Sequence, residues 1–202
     1  MKYRIGLIFS LIILAFGVWL SLAGSQDTGT FHQKGADDAQ VTLIEFTDFA
    51  CQECRQAQQL ILSLFEKYQP RIKLVFRQFP VTSIHTNSLP AAIASEAAGA
   101  QGKFWEFSRV LFDQQEAWSA VNDPTELFVA YARQVDIPDI SRFRLDIVDK
   151  TYKTEILSDM RLGNESGVNV PPTFFVNGEK VGLNGVQLAI EKVLSRSSAP
   201  GR

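Results

Sequence analysis

The chain has 202 residues, 46% of them hydrophobic and 21% charged, which is enough for one domain with a substantial core or one domain carrying an insertion. Lys and Arg total 20 and Asp and Glu total 22, so the net charge is -2, and no basic stripe argues for a nucleic-acid partner. The two cysteines are too few for a disulfide scaffold, and both fall in one motif.

The first 24 residues predict a signal anchor or a signal peptide. A basic head, Met1 to Arg4, precedes the uncharged residues 5–23. At about 1.5 Å per residue this run nearly crosses a ~30 Å hydrocarbon core, whereas a signal-peptide core is usually ~7–15 residues long. An N-terminal hydrophobic helix that stays in the cytoplasmic membrane as a single span is therefore favoured. A signal cleaved near Ala23, giving a secreted or periplasmic protein, stays open. Both readings place the rest of the chain on the extracytoplasmic side.

Residues 25–40 are polar and contain several glycines and aspartates, so they predict a flexible linker. The stretch that follows, residues 41–54, reads VTLIEFTDFACQEC and carries both cysteines. Its first six residues are strand formers. Apolar residues then recur at spacings of three and four as far as Tyr68, which predicts a helix that Pro70 ends. The cysteine pair should lie at the start of this helix, where free N–H groups and the helix dipole stabilise a thiolate. This arrangement predicts a thiol–disulfide exchange site.

Later elements complete a mixed α/β pattern. A strand from Ile72 to Phe79 closes a βαβ unit, so its two strands should be parallel. Helical patterns fill residues 85–166, including one long helical run from about Asp139 through Met160. A strand at 173–176 leads into the hairpin turn of Asn177 and Gly178, and a helix closes the domain at 186–194. The predicted organisation is an α/β domain of residues 41–84 and 167–195, an inserted helical subdomain of residues 85–166, and a tail of residues 196–202.

The chain resembles the DsbA-like thiol–disulfide oxidoreductases of the thioredoxin superfamily. The resemblance covers about residues 34–194. Beyond residues 41–54, the motifs that carry it are LVFRQFP at 74–80, AAGAQGKFW at 97–105, Gly167-Val168 and PTFFVNG at 172–178. It implies a thioredoxin fold with an inserted helical subdomain.

The resemblance also implies roles for four residues. Cys51 would be the exposed nucleophile and Cys54 the buried partner that resolves the mixed disulfide. Pro172 would be the cis-proline that faces the sulfurs and helps to hold the substrate backbone. Glu45 would be a buried acid with a raised pKa that exchanges a proton with Cys54.

Two departures from the family pattern matter. Gln52 and Glu53 stand where strongly oxidising members carry Pro-His, and the charge of Glu53 should make the chain a weaker oxidant. Pro171 stands before the cis-proline, where the family offers an N–H and a C=O to the substrate strand. Because proline has no N–H, we expect substrate pairing to lose one hydrogen bond there.

The cysteines, histidines and tryptophans allow other interpretations. The cysteines could form a structural disulfide or half of a zinc site, but zinc needs about four ligands and the chain offers only His32 and His85 besides. We expect no metal and no cofactor beyond the cysteine pair. His85 is expected to be solvated in its loop. Trp105 and Trp118 are expected to anchor the core of the insertion.

The function predicted is the introduction of disulfides into exported proteins with reduced or mispaired cysteines. By resemblance, a membrane quinone-linked thiol oxidase would reoxidise the pair. Two alternatives stay open. The same site could work as a membrane-tethered reductase or isomerase, or the domain could be a non-catalytic module that grips unfolded segments near Pro172.

Overall fold

The computed structural model describes residues 32–197. The predicted N-terminal hydrophobic helix, the first part of the predicted linker and the last residues of the tail lie outside this range. Within residues 32–197, no helix is long and apolar enough to cross a membrane.

A five-stranded sheet forms the centre of the described domain. Its strands are β1 (His32–Lys34), β2 (Val41–Thr47), β3 (Ile72–Gln78), β4 (Thr173–Val176) and β5 (Glu179–Val181). Their order in the sheet is β1-β3-β2-β4-β5. The helices are α1 (Gln52–Tyr68), α2 (Ser88–Gly99), α3 (Phe104–Asp113), α4 (Gln115–Ser119), α5 (Thr125–Gln134), α6 (Ile140–Val148), α7 (Lys153–Glu165) and α8 (Val186–Ser197). A short 3-10 helix, Leu183–Gly185, precedes α8.

The sheet confirms the predicted βαβ unit and hairpin. Strands β2 and β3 are parallel and joined by α1, whereas β4 runs antiparallel to β2 and β5 antiparallel to β4. Asn177 and Gly178 both have positive φ, 47° and 83°, as a tight hairpin turn between twisted strands requires. Because β2 is the central strand, the residues that follow it are surrounded by structure on several sides.

Strand β1 corrects the prediction that residues 25–40 are only a linker. It pairs antiparallel with β3, with His32 opposite Phe76. The His32 ring stacks on Phe104 at 3.4 Å, and its Nε2 lies 2.8 Å from Glu96 Oε2. These partners come from the helical insertion, so the polar composition of the segment could not reveal them.

The insertion between β3 and β4 consists of α2 to α7. Trp118 is fully buried and donates from Nε1 to Leu111 O at 2.8 Å, whereas Trp105 is half-buried against the rings of Phe76 and Phe104. The predicted long helical run from Asp139 to Met160 is wrong. The helical conformation is interrupted between α6 and α7. There Lys150 adopts φ 55°, a conformation that ends a right-handed helix.

Two apolar clusters enclose the start of α1. One face of α1, including Ala57, Ile61 and Phe65, packs on the sheet and α8. The cysteines belong to the other cluster, which includes Phe49 and Phe76 and extends into the insertion. The cysteine pair therefore lies at the junction of the sheet and the inserted helices.

Candidate active site

Cys51 is the residue that caps the N-terminus of α1. Its backbone is extended (φ -79°, ψ 124°), and its Sγ accepts a hydrogen bond from the Cys54 N–H at 3.3 Å. A cap residue accepts from an N–H group in the first helical turn that has no partner within the helix. Here the cap atom is sulfur, so the helix end provides a donor to the reactive atom itself.

The structure corrects the expectation that Cys51 is exposed. Cys51 is only 4% exposed and Cys54 is fully buried. The Cys51 Sγ lies 3.7 Å from Pro171 O and 3.4 Å from Glu53 Oε2. Cys51 is covered because the chain leading into β4 passes over the start of α1. Both cysteines are free thiols.

The two sulfurs differ in their acidity. The pKa of Cys51 is lowered, first by a hydrogen bond from the Cys54 thiol and also by the Cys54 N–H, against burial and the Glu53 carboxylate, which raise it. Burial and the neighbouring Cys51 sulfur raise the pKa of Cys54 well above its ordinary value. Thus Cys51 is the more acidic of the two thiols, and Cys54 is the one that holds its proton more strongly.

The Pro171–Pro172 peptide bond is cis, so Pro172 is the cis-proline that the resemblance implies. The carbonyl of Pro171 faces the Cys51 sulfur. A second cis bond, Gln69–Pro70, lies at the other end of α1. The structure therefore brings Pro171 and Pro172 to the cysteine pair, as the resemblance implies.

Glu45 is buried in the middle of β2. Burial raises its pKa to about 7, and the hydrogen bond from Gln58 opposes that rise. Gln58 Nε2 lies 3.1 Å and 3.2 Å from the two carboxylate oxygens. Gln58 follows Cys54 by one helical turn, so Glu45 is joined to α1 one turn beyond the cysteine pair. Its described hydrogen bonds go to Gln58, not to Cys54.

Asp48 is a functional candidate that the sequence reasoning missed. Its buried carboxylate accepts from Ala50 N at 2.8 Å and Val81 N at 3.0 Å, and its Oδ2 lies 2.9 Å from His85 Nδ1. The carbonyl of Asp48 accepts from Cys51 N at 3.1 Å. His85 is thus a hydrogen-bonding partner of Asp48 and not a fully solvated loop residue. An aspartate two residues before a turn N–H is a recognised turn former, and that signal could have identified it.

Gln115 was also missed. It begins α4, and its Nε2 donates to Phe49 O at 2.7 Å and to Cys51 O at 2.9 Å. Its neighbour Glu116 pairs with Arg55 of α1 at 3.0 Å. No local pattern marks Gln115, because it is more than 60 residues away from the carbonyls that it binds.

The two histidines that could have completed a zinc site have other partners. His32 pairs with Glu96 and His85 with Asp48. In the part of the chain that the structure describes, no group of three or more His, Cys, Asp or Glu residues is arranged to hold a metal ion.

A cysteine pair at the first turn of the helix after the central strand, facing a cis-proline, defines the thioredoxin-fold class of thiol–disulfide oxidoreductases. The chain belongs to the thioredoxin family, since the family model described as Thioredoxin matches residues 27–194.

Solved structures confirm the DsbA-like resemblance at the level of the fold. BdbD from Bacillus subtilis, in its oxidised form, is similar with a TM-score of 0.72 and 23% identity, covering 81% of this chain and 92% of that one. The α-DsbA1 protein of Wolbachia pipientis has a TM-score of 0.71 and 23% identity, covering 83% and 92%. A thioredoxin-like oxidoreductase from Silicibacter pomeroyi DSS-3 has a TM-score of 0.67 and 25% identity, covering 87% and 100%.

Curated relatives with higher identity carry a different name. Na(+)/H(+) antiporter NhaA 3 of Salinispora tropica is 36% identical over 149 residues, which are 74% of this chain and 22% of that protein. Na(+)/H(+) antiporter NhaA 1 of Mycobacterium sp. (strain KMS) is 32% identical over 169 residues, 81% of this chain and 26% of that protein. This chain thus spans about a quarter of the length of these relatives.

Proposed function

We propose that this protein is an extracytoplasmic thiol–disulfide oxidoreductase that introduces disulfides into exported proteins through Cys51 and Cys54. The observation that carries the proposal is the unequal pair of sulfurs. Cys51 accepts the Cys54 N–H at the helix start and has a lowered pKa, while Cys54 is buried with a raised pKa. Such a pair favours one sulfur as the attacked and leaving atom, which exchange chemistry requires.

The reaction starts from the oxidised pair. A substrate thiolate attacks Cys51 Sγ, forming a mixed disulfide and breaking the Cys51–Cys54 bond, and Cys54 leaves and takes up a proton. A second substrate thiolate then attacks the substrate sulfur of the mixed disulfide, and Cys51 leaves as a thiolate. The substrate loses two electrons and gains a disulfide, and the enzyme gains those electrons as its dithiol.

Glu45 is proposed to supply or take the proton of Cys54. A carboxyl with a pKa of about 7 exchanges protons readily near neutral pH. Because its hydrogen bonds are to Gln58, the proton would pass between Glu45 and Cys54 through an intervening water or a side-chain movement.

The location proposed for this reaction, outside the cytoplasm, is supported by the N-terminal sequence. Residues 5–23 are uncharged and apolar, which supports a membrane tether with the catalytic domain outside the cytoplasm, or export after cleavage. Outside the cytoplasm the glutathione pool does not keep the pair reduced. The dithiol would be reoxidised by a membrane quinone-linked thiol oxidase, the partner class that the family resemblance implies.

The test is the equilibrium reduction potential of the pair against glutathione, combined with refolding of reduced ribonuclease by the full chain in detergent micelles. A potential near -120 mV with active refolding supports the oxidase, since about -120 mV is typical of the strong oxidant DsbA. A potential near -270 mV, typical of thioredoxin, with insulin reduction and no refolding activity would overturn the oxidase reading.

A second function, a tethered reductase or isomerase, is favoured by one contact. The Glu53 carboxylate lies 3.4 Å from Cys51 Sγ and raises the pKa of that thiol. A less stabilised thiolate makes the reduced form less stable and shifts the pair toward reducing potentials. The same potential measurement separates this function from the oxidase.

A different variant distinguishes an enzyme from a non-catalytic binding module. Cys51→Ser would abolish exchange by an enzyme but leave the capture of unfolded segments by a holding module intact. The antiporter activity named for the relatives belongs to proteins of which this chain spans about a quarter.

A further inference from the structure

One side chain of the insertion, Gln115, donates hydrogen bonds to both ends of the turn from Phe49 to Cys51, which carries the reactive sulfur. Gln115 is only 5% exposed, and its Nε2 donates to Phe49 O at 2.7 Å and to Cys51 O at 2.9 Å. A side-chain amide carries two N–H donors, so it can serve both carbonyls at once. The two carbonyls belong to the peptide units immediately before and after the one that carries the Cys51 N–H.

We propose that Gln115 is a positioning residue for the thiol chemistry, which acts by holding the backbone turn that places Cys51 Sγ on the Cys54 N–H. The Cys51 carbonyl accepts from both Gln115 and the Arg55 N–H, which makes the first hydrogen bond of α1. The orientation of this carbonyl sets the direction in which the helix starts. It therefore also sets the distance between the Cys51 sulfur and the Cys54 N–H.

The hydrogen bond to the Phe49 carbonyl is a second way in which Gln115 keeps the turn ordered. Phe49 is 1% exposed, so its carbonyl is held away from bulk water, and Gln115 provides its hydrogen bond. A buried carbonyl that loses its donor is costly and drives the backbone to rearrange. A rearranged turn between Phe49 and Cys51 would move the sulfur away from the helix axis.

The insertion is suited to hold this amide in place. Three residues after Gln115, Trp118 is fully buried and hydrogen-bonded to Leu111 O. Beside it, Glu116 pairs with Arg55 in the first turns of α1. The inserted helices thus reach the active site through an element anchored by the buried Trp118, and their role extends beyond covering the sheet.

This inference rests on the proposed function only in taking Cys51 as the reactive sulfur. It does not depend on whether the exchange oxidises or reduces substrates. The readout is therefore the Cys51 thiolate itself, followed in the reduced full chain by ultraviolet absorbance and by the rate of alkylation at fixed pH.

The test variant is Gln115→Met, which has a similar length and no N–H donor, and the matched control is Gln114→Met at the exposed neighbouring position. We expect Gln115→Met to raise the pKa of Cys51 and to slow its alkylation below that pKa by about three- to tenfold, the size expected if the sulfur loses its hydrogen bond from the Cys54 N–H. Gln114→Met should change neither.

Gln115→Asn provides the second variant, because it keeps a polar amide but withdraws it by one methylene group from both carbonyls. We expect it to alter Cys51 in the same direction as Gln115→Met. If either folded variant loses stability while the pKa and alkylation rate of Cys51 stay at wild-type values, Gln115 is only structural and the proposal is wrong. Failure of the proposed function would show separately, as undiminished cellular activity of Cys51→Ser.

Discussion

Oδ2 of Asp48 lies 2.9 Å from Nδ1 of His85, and this pair joins the turn before the cysteines to the loop after β3. The same carboxylate accepts the backbone N–H groups of Ala50 and Val81. One buried side chain therefore ties together the two segments that follow the adjacent parallel strands β2 and β3. The reactive turn is held from the sheet side by Asp48 and from the insertion side by Gln115.

We expect Asp48→Ala to lower the free energy of unfolding by about 2–4 kcal/mol, because it leaves two backbone donors and His85 without their acceptor. Asp48→Asn should lower the free energy of unfolding by less, since it keeps one acceptor oxygen. His85→Ala should cost less still, because His85 is 28% exposed and water can replace it. Urea unfolding measures all three, with the exposed Asp113→Ala as the control. A loss for Asp48→Ala no larger than for the control would contradict the role of Asp48 in holding the turn.

Glu53→Gln should make the protein a stronger oxidant. The carboxylate raises the pKa of Cys51, so neutralising it stabilises the thiolate and with it the reduced form. We expect the equilibrium with glutathione to shift by roughly three- to tenfold, or about 15–30 mV, toward a higher potential. Glu66→Gln, exposed on the same helix, is the charge-matched control. An equal shift in both variants would show that net charge, and not the contact with Cys51, sets the potential.

Glu45 should make stability fall as the pH rises. Its pKa is about 4.5 in the unfolded chain and about 7 in the folded protein, so the folded state binds more protons between these values. The free energy of unfolding should therefore decrease from about pH 4.5 to pH 7 and above, by roughly 3 kcal/mol for this group, at 1.36 kcal/mol per pKa unit.

Glu45→Gln removes this titration, so the difference in stability between variant and wild type should change by a similar amount across the same pH window. Denaturant unfolding at a series of pH values measures it, and Glu66→Gln is again the control. A difference that stays constant from pH 4.5 to pH 8 would mean that Glu45 does not titrate in this range.

Pro171→Thr should tighten peptide binding at the site. The substitution restores a backbone N–H at the position before Pro172, and one net hydrogen bond corresponds to roughly three- to tenfold in affinity. Calorimetry with a cysteine-containing peptide and a Cys51→Ser background measures binding without exchange. Val170→Thr introduces the same side chain next to Pro171 without adding an N–H, so it is the control. Unchanged affinity in Pro171→Thr would disprove the pairing that we expect there.

Several features of the fold could be predicted because they are encoded in neighbouring residues. The strand formers before Cys51, the helical spacing after Cys54 and the turn at Asn177 each depend on short-range sequence patterns. The structure shows β2, α1 and the hairpin where those patterns placed them. The break near Lys150 was not predicted, because the apolar spacing on its two sides reads as continuous helix.

The contacts that shape the active site could not be predicted in this way. Glu45 was identified only through the family resemblance, and its partner Gln58 was not identified at all. His85 is 37 residues from Asp48, and Gln115 is 64 residues from Cys51. No local pattern relates residues at such separations, since their meeting depends on the path of the whole chain.

The amino-acid sequence by itself determined that a cysteine pair would stand at a strand-to-helix junction, where free N–H groups stabilise a thiolate. Only the tertiary structure decided how that thiol is surrounded: covered by Pro171 and held by Asp48 and Gln115. The physical reason is the separation along the sequence between the residues that interact. Secondary structure follows from interactions within a few residues, whereas burial and hydrogen bonding at the sulfur depend on segments that only folding brings together.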